Sequence, residues 1–177
     1  MPTPRTRRPP ARARKVAAAA PPDLAAEVLA TFALSQRMNR LLIESLDDAA
    51  WNAEPPGGKG RTIAAIVAHV HNVRHMWLVA CAPGARVPAK LDRHRVTRRQ
   101  ALAALDASHE ALAAVIGDAL ASGARLRNFP AGAVRFAGYH LAHEAHHRGQ
   151  IASLARLCGH PIPQATTFAL WEWGKRG

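Results

Sequence analysis

The chain has 177 residues, of which 49% are hydrophobic and 5% aromatic, and its formal net charge is +12. This length suits one domain with a substantial core and is short for two. No stretch approaches the roughly twenty consecutive apolar residues of a membrane span, so we expect a cytoplasmic protein without a membrane span. Its two cysteines, Cys81 and Cys158, form no CxxC pair and predict no disulfide.

The basic residues are concentrated in an arm at residues 1–22. Six arginines and lysines lie in the first fifteen positions, and the first acidic residue is Asp23. A polybasic segment rich in proline is typical of disorder, and it attracts nucleic acid or anionic lipid only weakly and without specificity. We therefore expect a disordered arm over residues 1–22, a single domain over residues 23–177 and no specific nucleic-acid partner.

Apolar residues at three- and four-residue steps predict four long helices in the domain. Sparse β-branched and aromatic residues also favour helix over sheet. Thr97 and Gln100 match a capping box, and Gly159 with Pro161 is typical of a helix end. The four predicted ranges are about Asp23–Asp47, Thr62–Ala80, Arg98–Ala121 and Ala133–Cys158, and a short helix or extended tail follows over residues 162–177.

Four of the ten histidines lie within eight residues of the fourth predicted helix. Residues four apart are neighbours on one helix face, so His143 and His147 can reach one metal ion together. At about 100° per residue, His140 lies within about 60° of His143, on the same apolar side. His146 falls at the opposite edge of that stripe, and we expect no ligand role for it.

A third ligand is expected from the second predicted helix, which carries three histidines. With His69 at zero, Ile66, Val73 and Trp77 lie within about 80° of it, so His69 is predicted to face the core. His71 and His75 fall at about 200° and 240°, and we expect them on the surface, as we do His109 in the third helix. His69 is the natural third ligand; the alternative is a core histidine hydrogen-bonded to a neighbour.

Other polar residues of the histidine helix have several candidate roles. His140 could line the pocket, replace one ligand or hydrogen-bond to a ligand. Glu144 could orient a ligand or act as a base, although a salt bridge to Arg148 one turn later is the simpler reading. Arg148 and Gln150 could position the helix or contact a substrate.

The strings HEAHHRGQI in the fourth helix, TIAAIVAH at the start of the second and the closing LWEW together resemble the DinB/YfiT-like superfamily of metalloenzymes. The resemblance covers most of residues 23–173. It implies an all-α, up-down-down-up four-helix bundle, commonly a homodimer, with a divalent metal held by three histidines. Carried onto this sequence, the implied ligands are His69, His143 and His147.

The resemblance also implies a reaction class. Characterised relatives include transferases that use low-molecular-weight thiols such as bacillithiol or mycothiol, and a thiol-dependent isomerase. A divalent ion lowers the pKa of a thiol or water that it binds and so generates a nucleophile. We therefore expect an enzyme that transfers a low-molecular-weight thiol to a small electrophile, or a related hydrolase or isomerase.

The alternative from another class is a non-catalytic metal-binding stress-response protein with a structural histidine site. A fourth protein ligand, for example His140, would favour it. We expect a divalent ion, with Zn, Ni, Fe and Mn as the candidates. Three imidazoles suit Zn, Ni, Fe or Cu, so the ligand set does not identify the metal.

Overall fold

The computed structural model describes residues 21–176, and this part of the chain is helical without a β-strand. The predicted arm therefore lies outside the described residues, except for Pro21 and Pro22. Seven α-helices and one 3₁₀ turn at Pro56–Gly58 make up the fold. The α-helices are α1 (Leu24–Glu44), α2 (Asp48–Trp51), α3 (Ile63–Cys81), α4 (Arg98–Ser122), α5 (Ala133–Leu157), α6 (Gln164–Ala169) and α7 (Trp173–Arg176).

Side-chain caps set where the long helices begin. Asp23 accepts hydrogen bonds from the first backbone amides of α1, and Thr62 does the same for α3. The predicted capping box at Thr97 and Gln100 is confirmed, with both reciprocal hydrogen bonds present at the start of α4. Helix α1 ends three residues earlier than expected, because Asp47 caps the separate helix α2.

The four long helices pack as a bundle in which α1 and α3 each contact both α4 and α5. One core cluster, around Leu42, Ile63 and Leu105, includes Ile151 of α5. A second cluster, around Phe32, Leu112 and Ile116, includes Phe136 of the same helix. The all-helical class is thus confirmed, and the up-down-down-up chain direction stays a prediction. Within residues 21–176, no helix is long and apolar enough to cross a membrane.

The predicted surface positions of His71 and His75 on α3 were wrong. His71 is fully buried: its Nε2 donates a hydrogen bond to the carbonyl of Ala89 at 2.8 Å, and its Nδ1 lies 3.2 Å from the Ser108 hydroxyl. His75 is half-buried and bonds to the carbonyl of Pro88. His69 lies at the edge of the core-facing side instead of at its centre. Helix α3 is apolar around most of its circumference, so periodicity alone did not fix which side is inward.

His109 on α4 was also expected on the surface. Its ring packs against Phe32, with a centroid distance of 4.6 Å, and is half-buried. Burial lowers the pKa of His109 to about 4, with the nearby Arg74 charge acting in the same direction. The acidic neighbours in sequence suggested exposure, but the helix face points into the bundle.

Candidate metal centre

His69 of α3 and His143 and His147 of α5 come together in the bundle. One ring nitrogen from each lies within 4.8 Å of the others. The Nε2 atoms of His143 and His147 are 3.1 Å apart, as expected for histidines one turn apart on a helix. The structure therefore brings together the three residues whose spacing and helical faces predicted a shared site.

All three histidines are held in the neutral form that binds metals. Burial lowers the pKa of His69, and the positive charge of Arg61 lowers it further. Burial and the neighbouring His147 and His69 lower the pKa of His143 to about 4. The pKa of His147 is lowered mainly by burial. Neutral imidazoles keep a free nitrogen lone pair at physiological pH, which metal ligation requires.

Gln150 fixes the tautomer of His147. The Gln150 Oε1 atom lies 2.8 Å from His147 Nδ1, and a carbonyl oxygen can only accept, so Nδ1 carries the proton. The lone pair of His147 is then on Nε2, the atom beside His143. The Gln150 amide nitrogen in turn donates to Nε2 of the exposed His146 at 2.9 Å. His146 thus supports the orienting residue and lies outside the three-histidine group.

Glu144 points away from solvent into the bundle interior. Its Oε1 accepts from Nε of Arg74 at 2.8 Å, and its Oε2 accepts from Asn39 at 2.7 Å and from Ser35 at 3.3 Å. Burial alone would raise the pKa of Glu144, but the charge and hydrogen bond of Arg74 lower it to about 2. The expected pairing with Arg148 is wrong.

Arg148 reaches α1 instead. Its guanidinium donates to the side chains of Ser35 at 3.0 Å and Asn39 at 2.7 Å. The Arg74 guanidinium also donates to the Gln36 side chain and to the carbonyl of Leu105. The Arg74–Glu144 pair and its partners thus link α1, α3, α4 and α5.

His140 lies in an aromatic part of the core and does not join the three-histidine group. It is fully buried, with Phe136 at 4.8 Å and Tyr139 at 5.2 Å between ring centroids. Neither ring nitrogen has a hydrogen-bond partner among residues 21–176. Burial lowers the pKa of His140 to about 3. Its role as a pocket or ligand-supporting residue stays a prediction.

The donor set fits a divalent transition metal. Three imidazoles are a common catalytic ligand set for zinc, with a further position left for a non-protein ligand. No other histidine, cysteine or carboxylate of residues 21–176 joins the group. The Nδ1 atom of His143 is buried and has no hydrogen-bond partner among residues 21–176.

Two protein-family models match the chain. A model described as the DinB superfamily matches residues 31–151, which is more than half of the chain. The chain belongs to the DinB superfamily. A second model, described as the DinB family, matches residues 136–176, which include most of the histidine helix of this DinB-superfamily protein. No curated protein and no solved structure matched the chain.

Sequence reasoning missed the polar residues that surround the histidines from the other helices. Ser35, Gln36, Asn39 and Arg74 lie on helices whose apolar pattern gives no sign of them, and all four are buried. The one available signal was a buried carboxylate: Glu144, expected near the apolar stripe, requires a cationic partner inside the core. That signal predicts a partner but does not say which arginine supplies it.

Proposed function

We propose that this DinB-superfamily protein is a divalent-metal-dependent enzyme that transfers a low-molecular-weight thiol to a small electrophile. The observation that carries the proposal is the group of three histidines, His69, His143 and His147, without a fourth protein ligand among residues 21–176. A structural site is usually closed by four protein ligands, whereas a catalytic one keeps a position open. Related hydrolase or isomerase chemistry would use the same centre.

The residues of the chain have separable roles in this proposal. His69, His143 and His147 hold the ion, and Gln150 keeps His147 in the tautomer that binds through Nε2. The Arg74–Glu144 ion pair fixes α5 relative to α3, and so keeps the two ligands of α5 opposite His69. The ion, when bound, lowers the pKa of a thiol or water and so supplies the nucleophile.

We propose that Glu144 positions the helices and does not act as a catalytic base. Both of its oxygens already accept hydrogen bonds, and its lowered pKa makes it a weak proton acceptor near neutral pH. Neither Cys81 nor Cys158 belongs to the histidine group, so the thiol is proposed to come from a cosubstrate. A cytoplasmic homodimer is proposed on the resemblance alone.

The proposal is tested on purified protein by metal analysis and a thiol-transfer assay. Zn, Ni, Mn and Fe are each added to chelator-treated protein, and a panel of thiols is combined with a panel of electrophiles. We expect activity that requires the metal and is lost in His147→Ala, while His94→Ala, which alters an exposed loop histidine, retains it. Protein that binds none of these metals, or that is fully active after the metal is removed, would overturn the proposal.

The alternative of a non-catalytic protein with a structural histidine site predicts a different result when the same protein is substituted with cobalt. Metal would bind and raise the melting temperature, but no thiol would alter the spectrum of the cobalt-substituted protein. A thiol-dependent change in that spectrum would exclude a closed site.

A further inference from the structure

A cleft of about 560 Å³ opens beside His147. One wall is the C-terminal half of α5, which contributes Gln150 and Ser153, and the opposite wall is the loop that leads into α3. Ile66 and Leu154 give the cleft an apolar floor. This volume lies within the range of small-molecule sites, about 300–1,000 Å³, and such sites combine apolar lining with a few polar groups.

The charged side chains that line this cleft are all positive. Lys59 and Arg61 line it, and no aspartate or glutamate does. Both cations are exposed, and neither forms an ion pair within the part of the chain that the structure describes. Arg61 is close enough to the histidine group for its charge to lower the pKa of both His69 and His147.

A second cleft of similar size lacks this arrangement of charge. It measures about 540 Å³ and lies between α4 and the loop after α3. There Arg86 is accompanied by Glu110 and Asp118, and no histidine lines the space. The cleft beside His147 therefore differs from it both in its unopposed positive charge and in its access to the histidine group.

We propose that the cleft lined by Lys59 and Arg61 binds the anionic oxygens of a small reactant, a carboxylate or a phosphate, while another part of that molecule reaches the metal. This inference rests on the proposed function, because it assigns the substrate class of the same centre. An arginine fork suits planar carboxylates and phosphates, and the Ser153 hydroxyl and Gln150 amide offer further donors. The apolar floor suits the carbon chain between the two ends.

The test compares an acid and its neutral counterpart of the same length, 3-mercaptopropionate and 3-mercapto-1-propanol. Both are titrated by calorimetry into zinc-loaded wild-type protein, into the double variant Lys59→Gln/Arg61→Gln and into Arg127→Gln, which removes an exposed cation elsewhere. We expect the double variant to bind the acid about tenfold more weakly than wild type, since a charge-assisted hydrogen bond is lost. Affinity for the neutral thiol is expected to change less than twofold, and Arg127→Gln to match wild type.

A second arm uses metal-free protein labelled with ¹⁵N. Addition of 3-mercaptopropionate is expected to shift the side-chain amide signal of Gln150 in wild type but not in the double variant. Inorganic phosphate and acetate, added as competitors, distinguish a phosphate preference from a carboxylate preference.

The outcomes separate this inference from the proposed function. Zinc binding with equal acid affinity in wild type and the double variant would overturn the anion site and leave the metal proposal standing. Failure to bind zinc would overturn the metal proposal, and the Gln150 amide signal would still decide the anion site. An equal loss of affinity for the acid and the neutral thiol would also overturn the inference, because charge would not be the cause.

Discussion

Arg74 and Glu144 form an ion pair of 2.8 Å in which each side chain is only 1% exposed. The two residues are seventy positions apart, on α3 and α5, the helices that supply the candidate metal ligands. The pair is surrounded by Ser35, Asn39 and Leu105, whose polar groups complete its hydrogen bonds. It therefore ties together the two helices on which the histidine group depends.

Removing one partner of this pair should destabilise the protein strongly. Arg74→Met leaves the Glu144 carboxylate buried without its cation, and we expect a loss of about 3–5 kcal/mol in the free energy of unfolding. Urea denaturation of metal-free protein measures it. Glu44→Ala, which removes an exposed helical ion pair with Arg40, is the control and should cost only about 0.5 kcal/mol or less. A loss for Arg74→Met as small as that of the control would contradict this role.

His140 should make stability depend on pH below neutrality. Its folded-state pKa of about 3 lies below the usual 6.5, so the unfolded chain binds its proton first as the pH falls. Stability from the neutral ring is thus present above about pH 6.5 and is lost progressively below it. In metal-free protein, His140→Leu should reduce the slope of unfolding free energy between pH 6 and 4.5 by about 1.4 kcal/mol per pH unit.

Three charged or titratable groups near His140 act on its pKa besides burial. Glu144 and Arg74 act on its pKa in opposite directions, and His143 also lowers it. His94→Leu, in an exposed loop, should leave the slope unchanged. An unchanged slope in His140→Leu would show that His140 is not neutral and buried in the native protein.

Gln150 should matter for metal affinity without being a ligand. It accepts the Nδ1 proton of His147, and loss of such a partner typically costs 10–100-fold in affinity. Gln150→Leu should therefore bind zinc about 10–100-fold more weakly in a competition titration with a chromophoric chelator. Ser153→Ala, on the same side of α5 near Gln150, is the matched control and should bind zinc like wild type. Equal zinc affinity in Gln150→Leu would show that the tautomer is fixed by another group.

The helices and the histidine pair could be predicted from local sequence. The spacing of His143 and His147 is a property of one helix, and the cap at Thr97 involves residues three apart. Local sequence could not predict that His71 is buried or that part of the opposite side of α3 is exposed, because most faces of that helix are apolar. Nor could it predict the Arg74–Glu144 pair, since the geometry of that pair depends on how α3 and α5 pack.

Histidines illustrate the same limit. The helical angle places His140 on the same side of the helix as His143, and His140 is indeed buried. The angle alone does not predict that its ring packs against Phe32 and Phe136, away from the histidine group. The candidate third ligand, His69, is predicted from its apolar neighbours and the family resemblance, and the structure brings it to the other two histidines. It is only partly buried, whereas His71 on the same helix is fully buried.

X-ray absorption spectroscopy of the zinc-loaded protein counts the ligands of the proposed metal centre. We expect three imidazole nitrogens at about 2.0–2.1 Å and one further ligand that is not histidine, which a thiol replaces with a sulfur at about 2.3 Å. His69→Ala should lose one of the three imidazoles. Four protein ligands around zinc, or a spectrum unchanged by both the thiol and the His69 substitution, would contradict a three-histidine centre with an open position.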